Sequence, residues 1–353
     1  MQQKMTIKQD YRKSFNEALK LVELTGQDLK TFYAKALKEV NKTVAAFKLK
    51  IDKGLLSDLD NRKYERVVKL QAEIETTLKD LFKVRGNIIK NGYVQEYTES
   101  FYKVGFAIER DVNMTLLSGE NYDYSLNFTQ LNPGYVKTTF DVPIGGMVFK
   151  QRSDLDLKRL QFKIQGIIER AMQDGLSTKQ VAKELKGIDI AFSESFKKAL
   201  TVARTELLRG YSYGQEDAIN QSKYVGVDGD NVWDATLDSR TRPSHAYMDQ
   251  KKSDKDGFFY VPGPRGREKT KGPRMPGLSA ANTVNCRCRK IYLPFGVEPS
   301  RRGGRLPDGD WSTKFEDKDW QAWAKDQQKS GTIDEQTAHK LKVVKKLTLE
   351  EKN

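Results

Sequence analysis

Trp233-Asp234-Ala235-Thr236-Leu237-Asp238-Ser239-Arg240-Thr241-Arg242-Pro243-Ser244-His245, and further on Asn285-Cys286-Arg287-Cys288-Arg289, are the stretches that decide how this chain reads. Together they hold both cysteines and one of the two histidines in 353 residues. A chain so sparing with these residue types has gathered them beside one Trp-Asp-Arg cluster. That is the mark of one built site. Trp233 reads as the apolar anchor of the surrounding fold. Asp238 with Arg240, and Glu206 with Arg204, are suited to ion pairs that fix segments poor in regular structure.

Two chemistries compete for the cluster. His245, Cys286 and Cys288 are ligands of the zinc type, with Asp238 or Asp249 as a candidate fourth. In an extended segment, Cys-x-Cys puts both sulfurs on one face. The spacing is tight for a zinc knuckle, however, and structural zinc prefers four ligands. The expectation is therefore no cofactor and no bound metal. Both thiols then serve as small buried groups, and His245 is hydrogen-bonded to an Asp. The alternative is a metal-dependent nuclease using His245 and the nearby acidic residues. A cysteine nucleophile promoted by Arg287 and Arg289 finds no oxyanion pocket in the sequence.

Working outward, proline divides the chain. None precedes Pro133, and eight of the ten lie between Pro243 and Pro307. Residues up to about Asp111 read as a helical bundle. Phe15, Ala18, Leu19 and Val22 share one face, which Phe32, Ala36, Val40, Val44 and Phe47 continue. Val67, Leu70, Ile74, Leu81, Val84 and Ile88 step at heptad-like intervals. Lys53-Gly54 and Asn91-Gly92 mark breaks. Alternation over Tyr122–Phe128 and Tyr135–Val142, about Asn132-Pro133-Gly134, predicts a β-hairpin. Ser153 with Asp156 reads as the cap of a helix that ends near Gly175. Ser177 with Gln180 caps a short helix stopping at Gly187. Ser193 opens a longer one carrying Arg204-Thr205-Glu206, with Gly210 and Gly214 as weak points. Pro262–Arg267 and Pro273–Gly277 read as exposed basic loop. Arg301–Arg305 reads as a linker. Trp311, Phe315, Trp320 and Trp323 form an amphipathic tail.

The fold class expected is α+β. It comprises an N-terminal helical domain (1–115), a β-hairpin connector (116–152), a mixed α+β domain with long basic loops (153–298), and a linker with tail (299–353). The length suffices for more than one core. No apolar run approaches membrane-spanning length, and the first residues lack the apolar core of a secretion signal. Cytoplasmic synthesis follows, and a Cys-x-Cys pair fits a reducing compartment. The formal net charge is +14. From Ser239 to Arg305 there are sixteen Lys/Arg against five Asp/Glu, an excess of eleven. Such clustering points to a polyanion, DNA before membrane. The candidate contacts are Arg265, Arg267, Lys269, Lys271, Arg274, Arg287 and Arg289.

The order of motifs also resembles a family. Ala203-Arg204-Thr205-Glu206, then the Trp-Asp signature through His245, then Phe258-Phe259, the Pro/Gly-rich loop and Asn-Cys-Arg-Cys are similar to the Mu F-like head morphogenesis domain of tailed bacteriophages. The likeness covers about Asp154 to Pro294. It departs at Thr283-Val284, where many members carry His-Pro. The resemblance implies a non-enzymatic minor head protein inside the virion, near the portal vertex, assembled in the host cytoplasm. Its implied partners are the portal protein and packaged double-stranded DNA, with scaffold or capsid protein beside them and no membrane. Its implied roles are head assembly and control of DNA packaging or ejection. The implied signature residues are Arg204, Glu206, Trp233, Asp234, Asp238, Arg240, Arg242, His245, Asn285, Cys286 and Cys288. An anti-bacterial effector is a further reading, since this domain is sometimes fused to toxins. No second catalytic module is visible in this chain. The N-terminal helices are the expected portal contact, so a chain beginning near Ser153 is expected to fold and to lose the portal.

Overall fold

In a computed structural model of the chain, residues 7–52, 60–116, 131, 133–171 and 178–294 are described. The Lys53-Gly54 break, the Tyr122–Phe128 alternation, the Ser177 cap, Arg301–Arg305 and the Trp311–Trp323 tail lie outside them.

Two long helices come first, α1 (Ile7–Asp52) and α2 (Asp60–Leu116). In α2 the buried line is Leu70, Ile74, Leu78, Leu81, Arg85 and Ile89. The heptad-like spacing places Val84 and Ile88 on it instead. A straight helix drifts about 20° per heptad, which moves burial onto the adjacent residue. In α1, Leu29 and Tyr33 are buried and Phe32 is turned outward. Asn91-Gly92 does not end a helix. Gly92 instead gives Leu207 its seat, with the Leu207 side chain 3.0 Å from where a Cβ would stand.

The expected connector strand over Tyr135–Val142 is a helix, α3 (Pro133–Phe140). Pro133 occupies its first turn, where a missing N–H costs nothing. Val136, Thr139 and Phe140 are buried and Tyr135 is exposed, which is a helical period. Helix α4 (Phe149–Ala171) starts ahead of Ser153, so that residue is interior and caps nothing. Asp156 faces the buried Arg85 at 3.3 Å and also binds Lys198 at 3.0 Å. After α5 (Thr178–Leu185), helix α6 runs unbroken over Gly187–Tyr224, beginning six residues before Ser193.

The remainder is short: β1 (Gly229–Asp234), α7 (Pro243–Met248), β2 (Phe259–Gly263), β3 (Gly266–Thr270), α8 (Ala280–Thr283) and β4 (Arg289–Pro294). Strands β1 and β4 pair antiparallel, from Gly229 opposite Pro294 to Asp234 opposite Arg289. Strands β2 and β3 form a separate antiparallel hairpin. The fold is α+β, with small sheets confined to the last described stretch. None of the described helices is long and apolar enough to cross a membrane.

The chain forms two compact units. One draws on 22–91 and 146–204. Within it Tyr33 packs edge-on to Phe192 and its hydroxyl lies 3.2 Å from Ser195 Oγ. The other unit draws on 1–21, 92–145 and 205–353. Its main core joins Tyr11, Phe101, Tyr102 and Ile108 to Ile219, Val232, Ile291 and Tyr292. Gly210 and Gly214 of α6, expected as weak points, are contact points there. A Cβ on Gly210 would stand 2.6 Å from the Tyr93 carbonyl of α2, and one on Gly214 would collide with the Tyr97 carbonyl.

Candidate functional site

A second, smaller core within the same unit holds the sequence signature. Trp233, Ala235, Met248, Phe259, Val261, Cys286 and Cys288 cluster together, all buried. Trp233 on β1 is fully buried. It stands edge-on to His245 at 5.9 Å and to Phe259 at 5.4 Å, the apolar anchor expected of it.

His245 sits on α7, and its ring is fixed from one side by Asn282 of α8. The Asn282 amide nitrogen donates to Pro262 O at 3.0 Å and to Glu268 Oε2 at 2.9 Å. Both partners are acceptors, so Asn282 Oδ1 must be the atom facing His245 Nε2 at 3.2 Å. Nε2 therefore carries the proton, and Nδ1 presents a bare lone pair. That lone pair points at two sulfurs, Cys288 Sγ at 3.3 Å and Cys286 Sγ at 3.6 Å. The expected aspartate partner of His245 is thus an asparagine. A second-layer carboxylate, Glu268, holds that asparagine in place.

Arg274 is the residue that sequence reasoning placed wrongly. It was expected on an exposed loop facing DNA, and it is 1% exposed. Its guanidinium donates to Leu208 O at 2.8 Å, Ser212 Oγ at 2.9 Å, Cys286 O at 3.0 Å and Cys288 O at 2.6 Å. It also lies 3.6 Å from Cys286 Sγ. A single side chain thereby ties the Asn-Cys-Arg-Cys segment to α6. Arg274 has a positive φ of 63°, which carries its side chain inward from the Pro-rich turn. Burial opposes ionisation of Cys286. The hydrogen bond from Cys288 and the Arg274 charge outweigh it and hold that thiol well below the usual range. Cys288, hydrogen-bonded to the Cys286 charge and buried, is driven upward.

Outside this core lies a layer of ion pairs. Asp238 receives both nitrogens of Arg287 at 2.6 Å, a fork-to-fork pair, and Arg240 at 3.6 Å. The bidentate partner is thus Arg287, with the expected Arg240 more distant. These contacts, led by the Arg287 hydrogen bond, hold the Asp238 carboxyl far below its ordinary range. Asp234 pairs with Arg289 across β1 and β4. Asp249 accepts from the Ala235 amide at 2.9 Å. Arg242 donates to the Val284 carbonyl. The Asn285 amide, on a residue with φ 56°, donates to Thr205 Oγ1 at 3.1 Å. Glu206, fully buried, makes its ion pair with Arg209 at 2.9 Å, where Arg204 had been expected. Arg204 lies half-buried on the same helix. Arg209 in turn donates to the Val142 carbonyl at 2.6 Å and the Phe140 carbonyl at 2.5 Å.

The nuclease arrangement needs carboxylates beside His245. Among the described residues, the only His/Cys/Asp/Glu group close enough to share an ion is His245, Cys286 and Cys288. Asp234, Asp238 and Asp249 are held by other partners. The acidic half of such a centre is not assembled there.

The basic surface is smaller than the composition suggests. Arg274 is buried, and Arg287 and Arg289 are engaged by Asp238 and Asp234. Pro262–Arg267, expected as irregular loop, is the turn end of the β2–β3 hairpin, with Gly263 opposite Gly266. Pro262 is tolerated because each strand of a two-stranded sheet is an edge. Gly266 takes φ 114° beyond the Pro264-Arg265 turn. Strand alternation buries Phe259, Val261 and Thr270 and exposes Tyr260, Arg267 and Lys269. Arg265 is exposed at the turn. Lys269 and Lys271 flank the Phe258 ring at 4.1 and 4.0 Å.

Residues 162–291 match the family described as Phage Mu protein F like protein. Over those residues the chain carries a region similar to the Mu F-like phage head proteins. It is 27% identical over 285 residues to the minor head protein GP7 of Bacillus phage SPP1, covering 78% of this chain and 84% of that one. It is 25% identical over 278 residues to a protein named NAD(+)--arginine ADP-ribosyltransferase EFV from Enterococcus faecalis (strain ATCC 700802 / V583), covering 79% of this chain and 53% of that one. The chain thus spans about half the length of that second relative. No solved structure matches it. The Mu F-like match takes in α6, strands β1 to β3, the first half of β4 and the whole His-Cys-Cys core.

Proposed function

We propose that this Mu F-like protein is a non-enzymatic minor head protein. It is carried inside the phage head near the portal and touches packaged double-stranded DNA without sequence preference. The observation that carries the DNA contact is the outward face of the β2–β3 hairpin. There Arg265, Arg267 and Lys269 stand exposed beside Tyr260, and the one carboxylate against that face, Asp254 on the Tyr260 hydroxyl, is outnumbered by them. The one acidic residue of the hairpin, Glu268, turns inward to Ser279 and Asn282. Phosphate contacts of this kind give salt-sensitive, sequence-independent binding. The head assignment is supported by the family and by the minor head protein relative. The same likeness supports a place near the portal and a role in packaging or ejection. The transferase relative shares with this chain a region that also resembles a head protein. We assign its named activity to the part of that relative which this chain does not cover.

Full-length protein on unlabelled duplexes of differing sequence, titrated across salt, tests the DNA contact. Each phosphate contact contributes about 0.9 to the logarithmic salt slope. Arg265→Glu, Arg267→Glu and Lys269→Glu together should weaken binding and lower that slope by about three. Binding that is equal at low and high salt, or unchanged in the triple variant, overturns the hairpin assignment. Co-expression with the portal protein of the same phage tests the other half, where a stable complex is expected.

A further inference from the structure

We infer that His245, Cys286 and Cys288 form a zinc site with three protein ligands and a fourth position open to solvent. The sequence pointed away from metal because a fourth ligand is missing; the geometry of the remaining three points toward it. Each Sγ lies 3.3–3.6 Å from His245 Nδ1, and all three donor atoms fall within 4.8 Å of one another. Zinc–sulfur bonds of about 2.3 Å and zinc–nitrogen bonds of about 2.0 Å, at tetrahedral angles, set neighbouring donors about 3.6 Å apart. Both nitrogen–sulfur distances already stand close to that separation.

The alternative is a purely hydrogen-bonded cluster, and it satisfies these groups poorly. Nδ1 has one lone pair, and two sulfurs are directed at it. One cation bonded to all three donors uses the Nδ1 lone pair and one on each sulfur. The surroundings are those of a ligand set. Asn282 accepts the proton on Nε2 and is itself fixed by Glu268 and Pro262 O, the outer-layer support that orients a ligating imidazole. The Arg274 N–H beside Cys286 Sγ complements a thiolate. Two thiolates with one imidazole select zinc over the oxygen-seeking divalent ions.

The fourth position is not Asp238, whose carboxylate is locked on Arg287. The three ligands line a cleft together with Thr236, Thr241 and Arg242. Water or an incoming anion reaches the ion from that side. The arrangement of three ligands and one open position differs from the closed four-ligand sites that merely staple a fold. The inference stands on these residues alone and does not depend on the DNA or portal reading.

The test uses untagged full-length protein. Elemental analysis is expected to give about one zinc per chain. Stripping the protein with chelator and adding cobalt(II) alone should produce a near-ultraviolet sulfur-to-cobalt charge-transfer band with visible bands of four-coordinate intensity. Cys288→Ser and His245→Ala should lose that charge-transfer signature, and Asp238→Asn should keep it. Asn282→Ala, which leaves all three ligands in place, should weaken cobalt affinity about 10–100-fold. Substoichiometric zinc together with no cobalt–sulfur band in the wild-type chain overturns the inference, whatever the variants do. Bands that persist in both His245→Ala and Cys288→Ser overturn it as well.

Discussion

Glu96 shows what a single buried charge costs this protein. It is 2% exposed on α2, and its Oε2 has no hydrogen-bond partner. Its neighbours are divided. Lys103 is bound by Glu99 at 2.7 Å and by Glu17 at 2.8 Å, which leaves Glu96 facing more negative charge than positive. Burial first, and Glu99 second, therefore push its carboxyl well above the ordinary 4.5, against Lys103. The folded chain then holds a proton that the unfolded chain has released above that value. Stability falls as pH rises through this window, by up to about 1.4 kcal/mol per pH unit. Glu96→Gln is neutral throughout and should flatten the decline. Urea midpoints from pH 5 to 8 should fall more steeply for wild type than for the variant. Parallel curves would show that Glu96 is ionised in the fold. The same scale explains why Arg274 could not be read from sequence. An arginine between two prolines in a basic stretch carries no local sign that its partners are the Leu208 carbonyl, Ser212, Cys286 and Cys288. All of those contacts are long-range.

At the scale of elements, helix α6 is decided by its glycines. Propensity counts Gly210 and Gly214 as defects costing about 1 kcal/mol each relative to Ala. The packing reverses this, since both lie against the backbone of α2 at Tyr93 and Tyr97, and backbone cannot rotate away. Gly214→Ala should therefore destabilise by about 1–2 kcal/mol, overpacking outweighing the helical gain. Gly166→Ala on α4 is the internal control. A Cβ there meets only Arg170 Nη1, at an ordinary 3.5 Å. That change should raise the melting temperature, whereas Gly214→Ala should lower it; the same sign for both would refute the close-approach argument. The helical elements were legible because hydrophobic period is a local property. So was the gathering of Trp233, His245 and the two cysteines, since rare residue types in one stretch seldom lie apart. The α3 segment was misread because Tyr135, Val136, Thr138 and Thr139 favour strands when taken alone, and burial at Val136, Thr139 and Phe140 overrode that preference. The β2–β3 hairpin was misread because Pro and Gly there were taken as breaking structure, when they form its turn.

At the scale of the whole molecule, chain order and spatial grouping disagree. Helices read as an independent N-terminal domain supply half of a core whose other half lies after residue 205. The main core of that unit takes Ile7 and Tyr11 from α1 and Phe101, Tyr102, Val104, Ala107, Ile108 and Val112 from α2. A fragment covering 153–294 retains the family match from 162 to 291 and every ligand of the proposed zinc site. It loses all eight of those side chains. Each large apolar side chain contributes roughly 1.5–3 kcal/mol on burial. The sum is as large as the roughly 5–15 kcal/mol by which a domain is stable at all. The expectation from sequence that a chain beginning near Ser153 folds alone is therefore corrected. That fragment should be soluble only with difficulty and should show no cooperative unfolding in urea. Adding a separately made 1–152 fragment should restore a cooperative transition, because it returns the missing half of the core. A cooperative transition in 153–294 by itself would mean that the β1–β4 sheet and α6 are sufficient, and that the N-terminal helices only cover them.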